Sequence, residues 1–415
     1  MRRRASLTAL AGMLLLGTAR AAEQSVELSL DLRLVDTATA QASFLYNGGG
    51  KLRFDDAHDG LRLGSLRLGY RGHFADTWHL YADAYAYGDH DVHAIDLTEL
   101  HLDWRPVPGS ALRHTVKLGA FYPAISLEHR MRGWRSPYSL TPSAINGWVG
   151  EELRTIGVEY DLEWLGQQRG RAWNLGLDAA AFGWNDPAGV IVARRGWAFS
   201  DRQTTLFGRL GQPGSGSPFG PGHGPSDGRV LFYRDLDHRA GYYAGFSADR
   251  HGILEVRALH YDNRADPTRQ APEINDGAWD TVFNSIGLRW TPDAHWTAQW
   301  QRLQGHTTIN AGGAPIASTW AFAADYWLAS VQAGRHRLTA RTDRFWMQQR
   351  TSSFFFYNHD DGHALLLAWS FEINPRLSVI AESLRVGSTL EFRRLIGAPE
   401  DAVERQHQLG LRFEL

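Results

Sequence analysis

The chain has 415 residues, 43 Lys+Arg against 45 Asp+Glu, a formal charge of −2 and no cysteine, with a mean hydropathy of −0.36. The polar average excludes a bundle of membrane-crossing helices, and the missing Cys excludes a disulfide framework, a thiolate metal centre and a Cys-linked lipid anchor. Yet the chain also carries 16 Trp, 14 Tyr, 19 Phe and 43 Gly. Such a mixture needs an architecture that spreads apolar side chains thinly over a large surface.

The first element is an address. Arg2, Arg3 and Arg4 precede a short apolar run, Ala5 to Leu16, and Ala19-Arg20-Ala21 places small residues at the −3 and −1 positions of a cleavage site. This order predicts a secretory signal over 1–21, cut after Ala21, and a mature domain over 22–415. Losing its four arginines leaves a mature charge of about −6. Only Lys51 and Lys117 are lysines and no basic stripe forms, so nucleic acid is not an expected partner.

After the signal, helical spacing nearly disappears and period-two alternation takes over. Val26, Leu28, Leu30, Leu32 and Leu34 share one face, with Glu27, Ser29, Asp31 and Arg33 on the other. Neighbouring side chains of a strand point to opposite faces, so each segment has an apolar and a polar side. Strands are expected at 24–35, 61–71, 77–87, 94–105, 113–122, 152–164, 172–184, 240–249, 252–262, 280–291, 294–304, 318–332, 335–347, 363–373, 376–386 and 404–415. The connections alternate short and long. The long ones are 36–60, 88–93, 123–151, 185–239, 263–279, 305–317, 348–362 and 387–403. Charged faces, segments about ten residues long and terminal aromatics point to an all-β, transmembrane, antiparallel up-and-down barrel of about sixteen strands. Short turns then lie on the periplasmic side and long loops outside. An open sheet edge has no partner in lipid, so the sheet must close.

Strand phase assigns faces. Arg33, Arg67, Arg71, Asp103, Lys117, Glu159 and Asp161 are expected to face the lumen. Asp31, Asp83, Glu99, His101, Asp178, Glu255, Arg257, Arg289, Asp325, Arg337, Arg341, Glu382, Arg412 and Glu414 join them. Leu66, Leu68, Trp104, Trp173, Leu288, Trp290, Trp296, Trp300, Trp320, Phe322, Leu367, Trp369 and Phe371 are expected to face lipid. The third long loop carries Trp134, Tyr138, Ile145 and Trp148, too apolar for a freely solvated excursion. Folded inward, it would bring Glu128, His129, Arg130, Arg132 and Arg135, with Glu151, Glu152 and Arg154, to a constriction. Charges facing one another across a narrow aperture set ion preference. A loop that only packs over the barrel mouth is the plainer alternative. In the fourth loop, 211–228 is rich in Gly, Pro and Ser, and 229–236 has the pattern of a short extra strand.

Sixteen alternating strands, an aromatic-rich last strand and a long third loop resemble the general and phosphate-selective porins of Gram-negative outer membranes. The segment 121–157 is also similar to that of uncharacterised porin-like proteins of such bacteria. The resemblance implies a passive channel for small hydrophilic solutes or ions, surrounded by outer-membrane lipid and lipopolysaccharide. It also implies a homotrimer with an inward-folded third loop, and no cofactor or enzymatic step. Two features depart from the pattern. The chain ends in Leu415, with Phe413 two residues earlier, where these barrels usually end in Phe. Its two lysines do not form the lysine ladder of the phosphate-selective members.

Other constellations are weaker. Asp89-His90-Asp91 with His93, and His359-Asp360-Asp361 with His363, have metal-ligand residue types in outside loops, where acidic turns are common. No G-x-S-x-G, HExxH, phosphate-loop or dinucleotide pattern occurs. The rival readings are an adhesion or binding barrel acting through its outside loops, a lipid-acting barrel enzyme, and a soluble secreted sandwich.

Overall fold

The computed structural model describes residues 21–89, 95–211, 229–271, 276–310, 316–351 and 358–415. Sixteen antiparallel strands close into a single barrel. In chain order they are β1 (Ala21–Ala38), β2 (Gly60–Phe74), β3 (Trp78–Ala86), β4 (Asp96–Trp104), β5 (Leu112–Phe121), β6 (Thr155–Trp164), β7 (Asn174–Gly183) and β8 (Gly241–Arg250). They continue as β9 (Leu254–Asp262), β10 (Asp280–Trp290), β11 (Trp296–Ile309), β12 (Ser318–Ala333), β13 (His336–Thr351), β14 (His359–Asn374), β15 (Leu377–Leu390) and β16 (Asp401–Glu414). Every expected strand is present. The largest boundary differences are at the outer ends of β11 and β13 to β15, which run several residues farther than the alternation suggested.

Closure is made by β1 and β16, in register from Ser29 opposite Glu414 to Ala38 opposite Arg405. Leu28 and Leu415 exchange backbone hydrogen bonds at 2.9 and 2.8 Å, extending the seam to the last residue. A closed ladder leaves no edge donors facing lipid, which is what a membrane barrel requires. Between β2 and β3, Ala75 and Asp76 adopt φ of 49° and 53°. Two successive left-handed residues match the twist of the strands they join.

Parity sorts the side chains. On β13, Leu338, Ala340, Thr342 and Arg344 are exposed outside, while Thr339, Arg341, Asp343, Phe345 and Met347 are buried inside. Part of the inside of the outer half is apolar. Loop 3 contains a helix, α1 (Ala144–Glu152), with all nine residues buried. Loop 4 contributes α2 (Val190–Arg195) and the segment through Phe199. Trp148 of α1 packs against Trp197 at 5.8 Å and against Phe283 and Phe322 at 5.4 Å between ring centroids. The inward faces of β7 to β13 therefore close on an apolar core within the barrel. In loop 4, Leu210–Gly211 pairs with Arg229–Val230 as a two-residue ribbon, so the expected extra strand is present but shorter.

That inner core corrects one face assignment. Trp320 and Phe322 were expected on the lipid side and Asp325 in the lumen. Instead Trp320 is 1 % and Phe322 0 % exposed, both inside. Asp325 lies outside, paired with Arg302 of β11 at 3.6 Å. The apolar face of β12 was assigned to lipid because lipid was the only apolar medium considered. Loops 3 and 4 supply a second one. Phe322→Ala is expected to cost about 3–5 kcal/mol by leaving a cavity in this core. Urea unfolding in micelles measures it, and a cost near zero would place Phe322 against detergent.

Candidate functional site

Loop 3 leaves β5, follows the inner wall and returns to β6. Gln301 and Gln299 of β11 donate to the carbonyls of Ile125 and Leu127 at 3.1 and 3.2 Å. Arg341 of β13 reaches Glu128 at 2.8 Å and donates to the carbonyls of Thr141 and Pro142, each at 2.8 Å. Asp343, also held by Arg341, accepts from the Ala144 N–H at 3.1 Å. Glu382 of β15 accepts from the N–H groups of Leu140 and Thr141 at 2.7 and 3.1 Å. Glu128 further accepts from Ser143 N at 3.0 Å and Asn146 Nδ2 at 2.9 Å, and the Ser143 hydroxyl caps α1. Burial would raise the Glu128 pKa, but Arg341 and these donors hold it below the ordinary value.

The segment 128–135 meets wall carboxylates one by one. Arg130 pairs with Glu255 of β9 at 2.8 Å. Arg132 pairs with Glu27 of β1 and keeps 59 % of its side chain exposed. Arg135 pairs with Glu414 of β16 at 2.9 Å and donates to Ser29 Oγ at 2.8 Å. His129 stacks on Trp134 at 4.8 Å, and burial takes its pKa down to about 4, so it is neutral at pH 7. Gly133 and Trp134 both have positive φ, 70° and 53°. Tyr85 Oη and Gln203 Nε2 donate to the Gly133 carbonyl at 2.6 and 2.9 Å and hold this strained bend. Beside it lies a cavity of about 280 Å³, which Arg71, Tyr81, Glu99 and His101 line from the wall.

Glu151, Glu152 and Arg154 sit elsewhere, 2 %, 0 % and 0 % exposed at the junction of loops 3 and 4. Glu151 pairs with Arg195 of α2. Glu152 accepts from Trp148 Nε1, Gly189 N and Val192 N at 2.8, 2.6 and 2.8 Å. The Arg154 guanidinium lies 3.5 Å from the Tyr122 ring centroid and donates to the Thr204 carbonyl at 2.8 Å. These three brace loop against loop and have no open water beside them.

The seven lumen-phase residues all have inward parity. Arg33 pairs with Asp31 at 3.0 Å and with Asp201 of loop 4 at 2.5 Å. Arg67 pairs with Asp83, and with Glu27 at 3.1 Å. Arg71 lies over the Tyr81 ring at 5.0 Å, and Asp103 meets His101 at 2.6 Å. Lys117 meets Glu159 at 2.5 Å. Asp161 stands directly opposite Asp178 of β7.

Sequence reasoning missed the loop package. Lys51 of loop 1 is buried against Asp360 at 2.7 Å, and burial lowers its pKa to about 8. Arg53 meets Asp89 at 2.7 Å and Asp201 at 2.8 Å. Asp360 thus points inward while Asp361 and His363 point outward, so His359, Asp360, Asp361 and His363 do not converge on a metal. Of the other constellation only Asp89 lies within the described residues. Asp186, Asp235 and Asp237 come within 4.8 Å of one another. Their oxygens take the N–H groups of Leu236, His238 and Asp266 and so brace the end of loop 4.

No family model matches the chain, and no curated protein matches its sequence. Solved structures do match in fold. The outer membrane channel DcaP of Acinetobacter baumannii is 10 % identical, covers 96 % of this chain and 99 % of its own, and has a TM-score of 0.55. OmpF of Salmonella typhi, in complex with daunomycin, is 9 % identical over 94 % and 97 %, with a TM-score of 0.52. OmpT of Vibrio cholerae, an outer membrane protein in its trimer form, is 11 % identical over 94 % and 99 %, with a TM-score of 0.50. The chain has the sixteen-stranded fold of the outer-membrane porins.

Two outcomes follow. Arg341→Met leaves Glu128 and Asp343 buried without their cation, a cost of about 3–5 kcal/mol. Loop 3 is expected to leave the wall, which protease cleavage within 128–143 detects while the barrel keeps its heat-modifiable gel shift. Glu152 has its pKa pushed up to about 7 by burial, from an unfolded value of 4.5. Between those pH values the folded state binds the extra proton, so stability falls as pH rises from about 4.5 to 7, by roughly 3 kcal/mol in total. Near-UV ellipticity of the tryptophan package reports this, and Glu152→Gln is expected to flatten the profile.

Proposed function

We propose that the chain is an outer-membrane porin whose third loop, 123–151, sets the aperture for small hydrophilic solutes or ions. The observation that carries the reading is loop 3 itself. It is held against β9, β11, β13, β15, β16 and β1, and it presents the exposed Arg132 beside a polar cavity. Export through the 1–21 signal and assembly as a homotrimer belong to the same reading.

The walls of the lumen differ in sign. Arg130, Arg257 and Arg289 surround the single carboxylate of Glu255. On β5 to β7 two cations, Lys117 and Arg113, pair with Glu159 and Glu163, with Asp161 and Asp178 alongside, so acids outnumber bases there. Only β8 separates the two patches, so a solute passing this side of the lumen meets a field directed along the wall, with anions drawn toward β9 and β10 and cations toward β5 to β7. No chemical step is involved. Size exclusion and this field do the sorting.

A second reading has its own support. Loops 1, 3 and 4 pack the outer half of the lumen, which favours a barrel closed by its loops and acting through its outer surface. Planar-bilayer recording separates the two. A stable ohmic step supports the porin, and silence from heat-modifiable barrel supports the closed form. Within the porin reading, Arg132→Glu is expected to raise the cation-to-anion permeability ratio roughly twofold or more. An unchanged reversal potential would remove the loop-3 tip from the aperture.

A further inference from the structure

A lipid-facing surface should be apolar, and the outer part of β13 to β16 is not. Arg344, Arg385 and Arg405 point outward and are exposed. Arg385 stands directly opposite Arg405, and Arg344 opposite His363. Like charges directly across a ladder repel. Asp325 is cross-strand from Arg344, yet its ion pair goes to Arg302 at 3.6 Å. Asp36 faces His407 rather than an arginine. Among the described residues, none of the three guanidiniums has a carboxylate partner. The site also has room made for it. A Cβ added at Gly387, two residues from Arg385, would come within 3.0 Å of His363 Cε1, so the glycine lets that imidazole lie over β15.

Height explains why the cluster is tolerated. Arg344 and Arg385 each stand eight residues above His336 and Leu377, where their strands begin. With a tilted rise this is about 20 Å, near the outer rim of an apolar band about 25 Å tall. Beneath the cluster, a groove opens on the outer face and runs from β11 across these strands to β1. Ala329, Leu338, Ala340, Leu367 and Trp369 line it, with Ser383, and the facing pair Asp36 and His407, as its polar groups.

We infer that this face binds an acyl lipid of the outer leaflet whose head group is a phosphomonoester, with the phosphate on Arg344, Arg385 and Arg405 and an acyl chain in the groove. The guanidinium fork matches phosphate geometry and supplies two parallel donors per residue. A chain in the groove replaces contacts that bulkier side chains would otherwise make. A second copy of this protein fits less well, because it must bring an acidic patch of its own to three unpaired arginines. The inference rests on outer-membrane placement and not on conductance, so the two can fail separately.

Native mass spectrometry of the intact barrel tests it, with phosphatidic acid and phosphatidylcholine of identical chains as probes. Phosphatidic acid adducts are expected to dominate and to fall about tenfold or more in the Arg344→Gln, Arg385→Gln, Arg405→Gln triple variant. Ala340→Trp, which fills the groove and leaves the arginines, is expected to weaken the same adducts. Both variants should keep the heat-modifiable shift and the wild-type conductance step. Equal retention of the two lipids, or unchanged adducts in the triple variant, overturns the inference. Full displacement by inorganic phosphate with no effect of Ala340→Trp overturns the acyl part and leaves a free-phosphate site. An oligomer lost in Ala340→Trp, with lipid adducts intact, assigns the groove to a second copy.

Discussion

The interior of this barrel is organised around one buried cation. Arg341 is 1 % exposed and spends its donors on Glu128, on Asp343 and on two loop carbonyls. A guanidinium removed from water is tolerable only if nearly every donor finds an acceptor. Loop 3 supplies most of those acceptors, and in return its course along the wall is fixed. Once 139–143 is seated there, α1 projects Trp148 into the centre, and Trp148 becomes the surface on which Trp197 and Phe322 pack. The position of loop 4 follows from that surface.

A second consequence concerns charge chemistry. The chain has 43 basic residues, of which only Lys51 and Lys117 are lysines. Both have defined seats, one buried against Asp360 and one against Glu159. Elsewhere arginine does the pairing, often with more than one acceptor. Arg33 and Arg53 share Asp201, which ties β1, loop 1 and loop 4 together. Burial would raise the Asp201 pKa, yet the two guanidiniums hold it well below the carboxylate range. A planar fork joins three segments where an ammonium would act as a point charge.

The sixteen strands were legible because alternation is local: a strand between lipid and lumen writes its two solvents into successive residues. The phase of β12 was misread because that rule assumes a wet lumen, and Trp320 and Phe322 face an apolar interior made by distant loops. The pairing of Arg341 with Glu128 spans 213 residues, and that of Lys51 with Asp360 joins loop 1 to β14. No spacing in the sequence announces such contacts. Charged residues in loop 3 were visible as charges, but which of them meet wall acids and which bind loop 4 depends on the course of the backbone. Residues 128–135 run along the wall, whereas Glu151, Glu152 and Arg154 close the return.

The seat of loop 3 carries a temporal consequence. The loop leaves β5, early in the chain, but the anchors of its 128–144 stretch include Arg341 and Asp343 of β13, Glu382 of β15 and Glu414 of β16. Until β13 is in place, Glu128 lacks Arg341 and the start of α1 lacks Asp343. Closing the seam between β1 and β16 and seating the loop therefore depend on the same late-arriving strands. A barrel that sealed first would have to admit a folded helix through its mouth. The order that avoids this obstacle gathers loop 3 while the sheet is still an open trough, so the interior serves as a template for the final curvature of the wall.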